Sequence, residues 1–145
     1  MLLLSPSLQA AELAGRVLNV PSGEQIELLG EQARFFVQLQ GIELIEAKPR
    51  LRKAAQDRLK GLIAGRFVQV SIDGERRNGQ LLGFVNWGGQ EVNLTLVADG
   101  LALVRPEQLD DARLRLYQAA EAQAKQQRLG VWFEPAKPAR SLLPH

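Results

Sequence analysis

Hydrophobic and polar residues alternate along the first third of the chain, the pattern of strands that bury one face. Residues 15–20, 24–29 and 33–44 show this alternation. The turn-forming sequence Pro-Ser-Gly separates the first two segments, so they are predicted to form a hairpin. Two sets of side chains alternate in the third segment and predict a half-buried strand: Phe36, Gln38 and Gln40 against Phe35, Val37 and Leu39.

After residue 48 the apolar period becomes helical. Six apolar residues recur three or four positions apart: Leu51, Ala54, Ala55, Leu59, Leu62 and Ile63. Pro49 suits a first helical turn and Gly65 suits a helix end, so a helix is predicted between them. Strands resume at residues 66–72 and 80–87, and the Asn-Gly pair at 78–79 is typical of a tight hairpin turn.

Residues 91–100 fit either a strand, by alternation, or one face of a short helix. A long helix is predicted from about Glu107 to Arg128. Its expected apolar face comprises Leu109, Ala112, Leu116, Ala119 and Ala120. Five short strands, a helix after the third and a long terminal helix predict a mainly β, α+β fold, a five-stranded OB-fold barrel. Such barrels commonly bind oligonucleotides or oligosaccharides.

The composition, 46% hydrophobic and 23% charged over 145 residues, is that of one globular domain. We place this domain at residues 13–134, after a disordered leader or signal-peptide remnant at 1–12 and before a loose tail at 135–145. The apolar start followed by small residues favours export, to the periplasm or outside the cell, over a cytoplasmic leader. No apolar run reaches the roughly 18 residues of a membrane span, so we expect no membrane association, and we expect a monomer.

The residue types that are missing restrict the chemistry. There is no cysteine, and the one histidine is His145. Thiol and histidine-based catalysis are therefore disfavoured, which leaves carboxylates, arginines, lysines and hydroxyl groups.

Charge is distributed unevenly. Residues 1–46 carry two basic and six acidic side chains, whereas residues 48–60 carry six basic side chains and one acidic one. Acidic groups beside a basic segment suit a phosphate ligand held through a cation, although solvated faces of a strand and a helix explain the same pattern.

Four segments carry a resemblance to a known family: "GIELIE" at 41–46, "NGQLLGFV" at 78–85, "VNLTLVADGLALV" at 92–104 and "YQAAEAQAKQQRLGVW" at 117–132. Over residues 15–132 the chain resembles the staphylococcal nuclease-like (thermonuclease) family. The resemblance implies that residues 91–100 form a short helix. It also implies calcium-dependent hydrolysis of phosphodiester bonds in nucleic acid.

Carried over by position, the resemblance implies site roles for several residues. Glu24 and Glu43 would be metal ligands together with the backbone carbonyl of Leu44, and Glu46 would be the general base. Oxygen ligands of this kind suit calcium.

The two catalytic arginines of the family are replaced by Gln38 and Gln80. Glutamine lacks the charge and the forked geometry that match phosphate. By analogy with an oxyanion donor, each loss removes about 3 to 4 kcal/mol of transition-state stabilisation. Ile45 replaces a family proline, and Arg105 replaces a tyrosine that could stack on a base. Arg34, Arg76 and Arg77 are nearby candidates for substitute cations.

Three interpretations follow. The first is an impaired or inactive nuclease fold that binds nucleic acid, a nucleotide or another anionic ligand. The second is an active Ca²⁺-dependent phosphodiesterase with an altered site, favoured by the three retained carboxylates. The third is a protein-interaction domain that uses Phe84, Trp87 or the proline-rich tail.

Overall fold

A computed structural model describes residues 11–75 and 78–133. Five strands close into a barrel, each hydrogen-bonded to the next in the order β1, β2, β3, β6, β5 and back to β1. The strands are β1 (Ala11–Ser22), β2 (Gln25–Leu29), β3 (Arg34–Leu39), β4 (Ile42–Glu43), β5 (Phe67–Glu75), β6 (Leu81–Trp87), β7 (Gln90–Glu91) and β8 (Leu103–Val104). The helices are α1 (Pro49–Ile63), α2 (Val92–Ala98) and α3 (Asp111–Gln126). The predicted OB-fold architecture is confirmed.

The barrel closes through one parallel pairing, between β3 and β6, while the other barrel pairings are antiparallel. Gln38 pairs with Leu82 across this junction. Its flanking residues Val37 and Leu39 point inward and are fully buried. Gln38 itself is also buried, as is Gln40, so the strand is buried more completely than the alternation predicted.

Helix α1 covers one end of the barrel as its apolar spacing predicts. Ala55, Leu59 and Ile63 are fully buried, and the helix packs against β1 and α2. Pro49 occupies the first turn. The basic side chains between the apolar positions are therefore left on the solvent-facing side.

Within residues 91–100, Val92–Ala98 form the short helix α2, as the resemblance implied. The helix is held by Asn93, whose side chain is completely buried. Its Nδ2 donates to the carbonyls of Gln40 at 2.9 Å and Gly83 at 3.1 Å, and its Oδ1 accepts from the N–H of Val85 at 3.0 Å. One polar side chain thus joins α2 to both strands of the parallel junction.

The prediction for the C-terminal helix was wrong in two respects. A 3₁₀ turn occupies Pro106–Gln108, and α3 begins only at Asp111 because Asp110 caps it by accepting from the N–H of Arg113 at 2.8 Å. The buried residues of α3 are Tyr117 and Ala124, whereas Leu116, expected to be buried, is 59% exposed.

A polar and aromatic contact sets the orientation of α3. Tyr117 packs edge-on against Phe84, with ring centroids 6.4 Å apart, and its hydroxyl donates to Glu91. The Arg113 guanidinium lies 3.8 Å from the centroid of the Phe84 ring and donates to Glu91 as well. Burial and the hydrogen bond from Tyr117 to Glu91 raise the pKa of Tyr117 well above its usual range. These contacts turn Leu116 towards solvent.

The described strand β1 begins two residues before the expected domain boundary, because Ala11 and Glu12 pair with Ile72 and Ser71. The expectations about the remainder of the leader and about the tail concern residues outside the described part of the chain. Within residues 11–75 and 78–133, no helix is long and apolar enough to cross a membrane.

Candidate functional site

Glu24 lies in the turn between β1 and β2, at the end of the barrel where β3 finishes. Its carbonyl accepts a hydrogen bond from the N–H of Leu39 at 2.8 Å, which ties this turn to β3. The chain then turns at Gly41, which adopts a φ of 82°. This positive φ favours glycine, and an added Cβ would also force the Leu109 side chain, 2.4 Å away, to shift. The turn places β4, and with it Glu43, next to Glu24.

The backbone pairing of β4 with β8 brings Arg105 to the same place. Ile42 pairs with Val104 and Glu43 with Leu103, and the N–H of Arg105 donates to the carbonyl of Gly41 at 2.8 Å. The Nη2 atom of Arg105 then donates to Oε2 of Glu43 at 2.9 Å. The Arg105 side chain is only 28% exposed. A cation therefore lies within the predicted acidic site.

The electrostatics of Glu24 reflect this environment. Burial raises the pKa of the Glu24 carboxyl above its usual range, and nearby Glu46 and Glu43 raise it further. Arg105 and the N–H of Leu44 oppose the rise. The hydrogen bond from Arg105 to Glu43 in turn raises the pKa of Arg105, so the guanidinium stays charged. Glu24, Glu43 and Arg105 thus influence one another directly.

Glu46, the predicted general base, lies at the rim of this group. Its side chain is 81% exposed and forms an ion pair with Arg52 of α1, at 3.5 Å. Leu44 is buried between Glu43 and this rim, and a groove of about 240 Å³ runs from Leu44 along the first turns of α1. Arg52 and Lys53 line that groove.

Gln38 lies in β3 and Gln80 directly precedes β6, so both are at the parallel junction. Gln38 is buried in β3. Gln80 precedes β6, and its Oε1 accepts from the side-chain amide of Asn78 at 3.0 Å. Because Gln38 pairs with Leu82, Gln80 is only two residues out of register with it.

Arg34, one of the three arginines considered as candidates to replace the missing cations, lies at the far end of β3 from Gln38. It contacts Glu27 at 3.5 Å, away from Glu24 and Glu43. Arg76 and Arg77 lie outside the described residues. No local pattern in the sequence places Arg105 beside Glu43, because this contact depends on a pairing between segments 62 residues apart.

Comparison with known proteins agrees with this architecture. The family of staphylococcal nuclease homologues matches residues 37–134. An uncharacterized endonuclease of Escherichia coli O157:H7 is 31% identical, over 86% of this chain and 80% of the relative. The chain belongs to the staphylococcal nuclease family. A micrococcal nuclease of Shigella flexneri is 28% identical over 86% of this chain and 76% of its own length. The staphylococcal-like nuclease CAN1 of Arabidopsis thaliana is 30% identical over 72% of this chain and 32% of its own length.

The resemblance to the staphylococcal nuclease family implies a calcium ion, which these residues would have to hold. Calcium requires six to eight oxygen ligands at about 2.3–2.6 Å. Among the described residues, no three acidic side chains come close enough together to hold a metal ion. Glu43 is engaged by Arg105 and Glu46 by Arg52. With Glu43 and Glu46 paired to cations, the arrangement as it stands does not form a calcium cage, and the metal-ligand roles of Glu24, Glu43 and Leu44 stay predictions.

Proposed function

We propose that this staphylococcal nuclease-like domain binds nucleic acid or a nucleotide through its phosphates and is impaired in hydrolysis. The observation that carries the proposal is the replacement of both family arginines, by Gln38 and Gln80, at the junction beside the acidic site. Without those charges, the negative charge that grows on a phosphoryl group during hydrolysis is poorly stabilised. Binding does not require this transition-state stabilisation, because phosphate contacts depend mainly on accessible cations.

Helix α1 and its N-cap residue supply such cations next to the site. Lys48, Arg50, Arg52, Lys53, Arg58 and Lys60 are all exposed. Ion pairs engage Arg52, Lys53 and Arg58, whereas Lys48, Arg50 and Lys60 have no carboxylate partner within the described residues. The first turn of α1 also lacks acidic side chains, so the positive end of the helix dipole adds to the field. A phosphate backbone approaching Leu44 and Glu46 would meet this basic turn.

Salt-dependent binding of a fluorescent single-stranded oligonucleotide tests the proposal. Each phosphate contact contributes about 0.7 to the slope of log affinity against log salt. The double variant Lys48→Gln/Arg50→Gln should therefore bind more weakly and lower that slope by about 1.4. A control variant with the same charge loss on α3, Arg115→Gln/Lys125→Gln, should change neither by a comparable amount. Equal effects of the two variants, or no binding at low salt, would contradict the proposal.

The alternative is an active Ca²⁺-dependent phosphodiesterase, and the observation in its favour is the retention of carboxylates at Glu24, Glu43 and Glu46. Incubating the protein and its Glu46→Ala variant with DNA and RNA in excess calcium distinguishes the two. Cleavage by the unaltered protein that disappears in Glu46→Ala would establish the alternative.

The protein-interaction interpretation is weakened at one of its expected contacts. Phe84 is buried beneath Arg113 and against Tyr117, so it cannot present a surface to a partner. Trp87 packs partly against the core, with the Arg66 guanidinium 4.6 Å from its ring centroid. The monomeric state and export remain predictions.

A further inference from the structure

We infer that the guanidinium of Arg105 takes the place of a divalent cation beside Glu24 and Glu43, so that this domain binds phosphate ligands without calcium. The part that concerns phosphate rests on the function proposed above. The replacement of a divalent cation by Arg105 rests on the geometry of the site alone.

The position of Arg105 is fixed by backbone as well as side-chain contacts. The β4–β8 pairing and the hydrogen bond to Gly41 hold its main chain opposite Gly41, immediately before β4. Pro106 follows and begins a 3₁₀ turn, which restricts the backbone further. The side chain then has a short, direct path to Glu43, where it forms its 2.9 Å hydrogen bond.

Arg105 meets the electrostatic need that a metal would otherwise meet. Glu24 and Glu43 are two carboxylates close enough to raise each other's energy when ionised, and Glu24 is partly buried. The positive charge of Arg105 acts on both, through a hydrogen bond to Glu43 and through space on Glu24. A divalent ion entering this group would have to displace the guanidinium or approach it against like-charge repulsion.

Arg105 also retains the capacity to contact an anion. A guanidinium has five N–H donors. Among the described residues, Glu43 is the one acceptor of a side-chain hydrogen bond from Arg105, and Glu107 lies at the longer ion-pair distance of 3.6 Å from Nε. Free donors on a positioned guanidinium suit the oxygens of a phosphate group.

Calorimetric titration with calcium chloride tests the cation substitution. The wild-type protein and the charge-retaining variant Arg105→Lys should bind calcium at least tenfold more weakly than Arg105→Gln, which frees Glu43. Arg115→Gln, a charge loss on α3, should behave as wild type. The inference is overturned if the wild type binds calcium as tightly as Arg105→Gln, or if Arg105→Gln binds none. If circular dichroism shows that Arg105→Gln does not fold, nuclear magnetic resonance of the wild-type protein tests the inference instead. Its Arg105 Nε–H resonance should be unchanged in millimolar calcium, and a shift of that resonance would overturn the inference.

Oligonucleotide binding by the wild type, with calcium and with EDTA, tests the second part. We expect equal affinity in the two conditions, and at least a tenfold loss in Arg105→Gln that Arg105→Lys largely restores. Tenfold stronger binding in calcium would overturn the inference. Absence of oligonucleotide binding in every condition would refute the proposed function, while the calcium titration would still decide whether Arg105 replaces the metal.

Discussion

Replacing Asn93 by alanine should destabilise the barrel at its parallel junction. Asn93 is completely buried and forms three hydrogen bonds to backbone groups of Gln40, Gly83 and Val85. The carbonyl of Gly83 also accepts from the N–H of Gln40 at 2.9 Å, so it keeps a partner. The N–H of Val85 and the carbonyl of Gln40 lose the amide that bonds them.

A buried polar group left without its partner costs about 1–3 kcal/mol. Two such groups give an expected loss of about 4 kcal/mol for Asn93→Ala. That is a large part of the roughly 5–15 kcal/mol by which a typical domain is stable. The junction also carries Gln38, so the loss would loosen the scaffold of the candidate site.

Urea unfolding followed by far-ultraviolet circular dichroism measures this loss. With an m-value of about 2 kcal/mol/M, the midpoint for Asn93→Ala should fall by about 2 M with little change in m. Thr95→Ala is the matched control, because Thr95 lies in the same helix and, among the described residues, its side chain makes one hydrogen bond, to the Glu91 carbonyl at 3.3 Å. A loss below about 1 kcal/mol, or one equal to that of Thr95→Ala, would refute the reasoning about the buried amide.

Three further substitutions test the site and the backbone. Because the folded protein raises the pKa of Glu24, principally through burial, the folded state binds its proton more tightly than the unfolded state. The stabilisation that the protonated Glu24 carboxyl adds to the folded state is therefore present in full below the pKa of Glu24 in the unfolded chain. It is lost as pH rises through the pKa of Glu24 in the folded protein. Glu24→Gln should be more stable than the wild type at neutral pH, with the advantage disappearing below about pH 4 in thermal melts, and a pH-independent difference would contradict this. Gly61→Ala should stabilise α1 by about 0.5–1 kcal/mol, since nothing lies within 4 Å of the added methyl group. Gly100→Ala should destabilise the protein strongly in the same melts, because Gly100 has a φ of 73° and an added Cβ would lie 2.3 Å from the Leu129 carbonyl oxygen. A melting temperature equal to that of the wild type would contradict the expectation for either glycine variant.

Local patterns were sufficient for most of the architecture. The alternation along residues 15–44 corresponds to β1, β2 and β3, and the apolar spacing after residue 48 corresponds to α1. These predictions succeed because a strand or an amphipathic helix buries one face whatever its neighbours are. The motif resemblance supplied the helical state of α2, which periodicity could not decide.

Other features needed the tertiary structure. Helix α3 buries Tyr117 in place of Leu116, because the tyrosine hydroxyl and Arg113 both reach Glu91 while their side chains enclose Phe84. The pattern of apolar residues along α3 does not indicate a contact with Glu91, because Glu91 belongs to a different element. A helix face chosen by polar partners cannot be found from apolar spacing alone.

The candidate site divides in the same way. The sequence by itself determined which charges are present: carboxylates at Glu24, Glu43 and Glu46, and glutamines at both positions of the family arginines. Only the tertiary structure decided that Arg105 lies against Glu43, since the pairing of β4 with β8 joins distant parts of the chain. Charge type is a property of each residue, whereas the cation that a carboxylate meets depends on how the whole barrel closes.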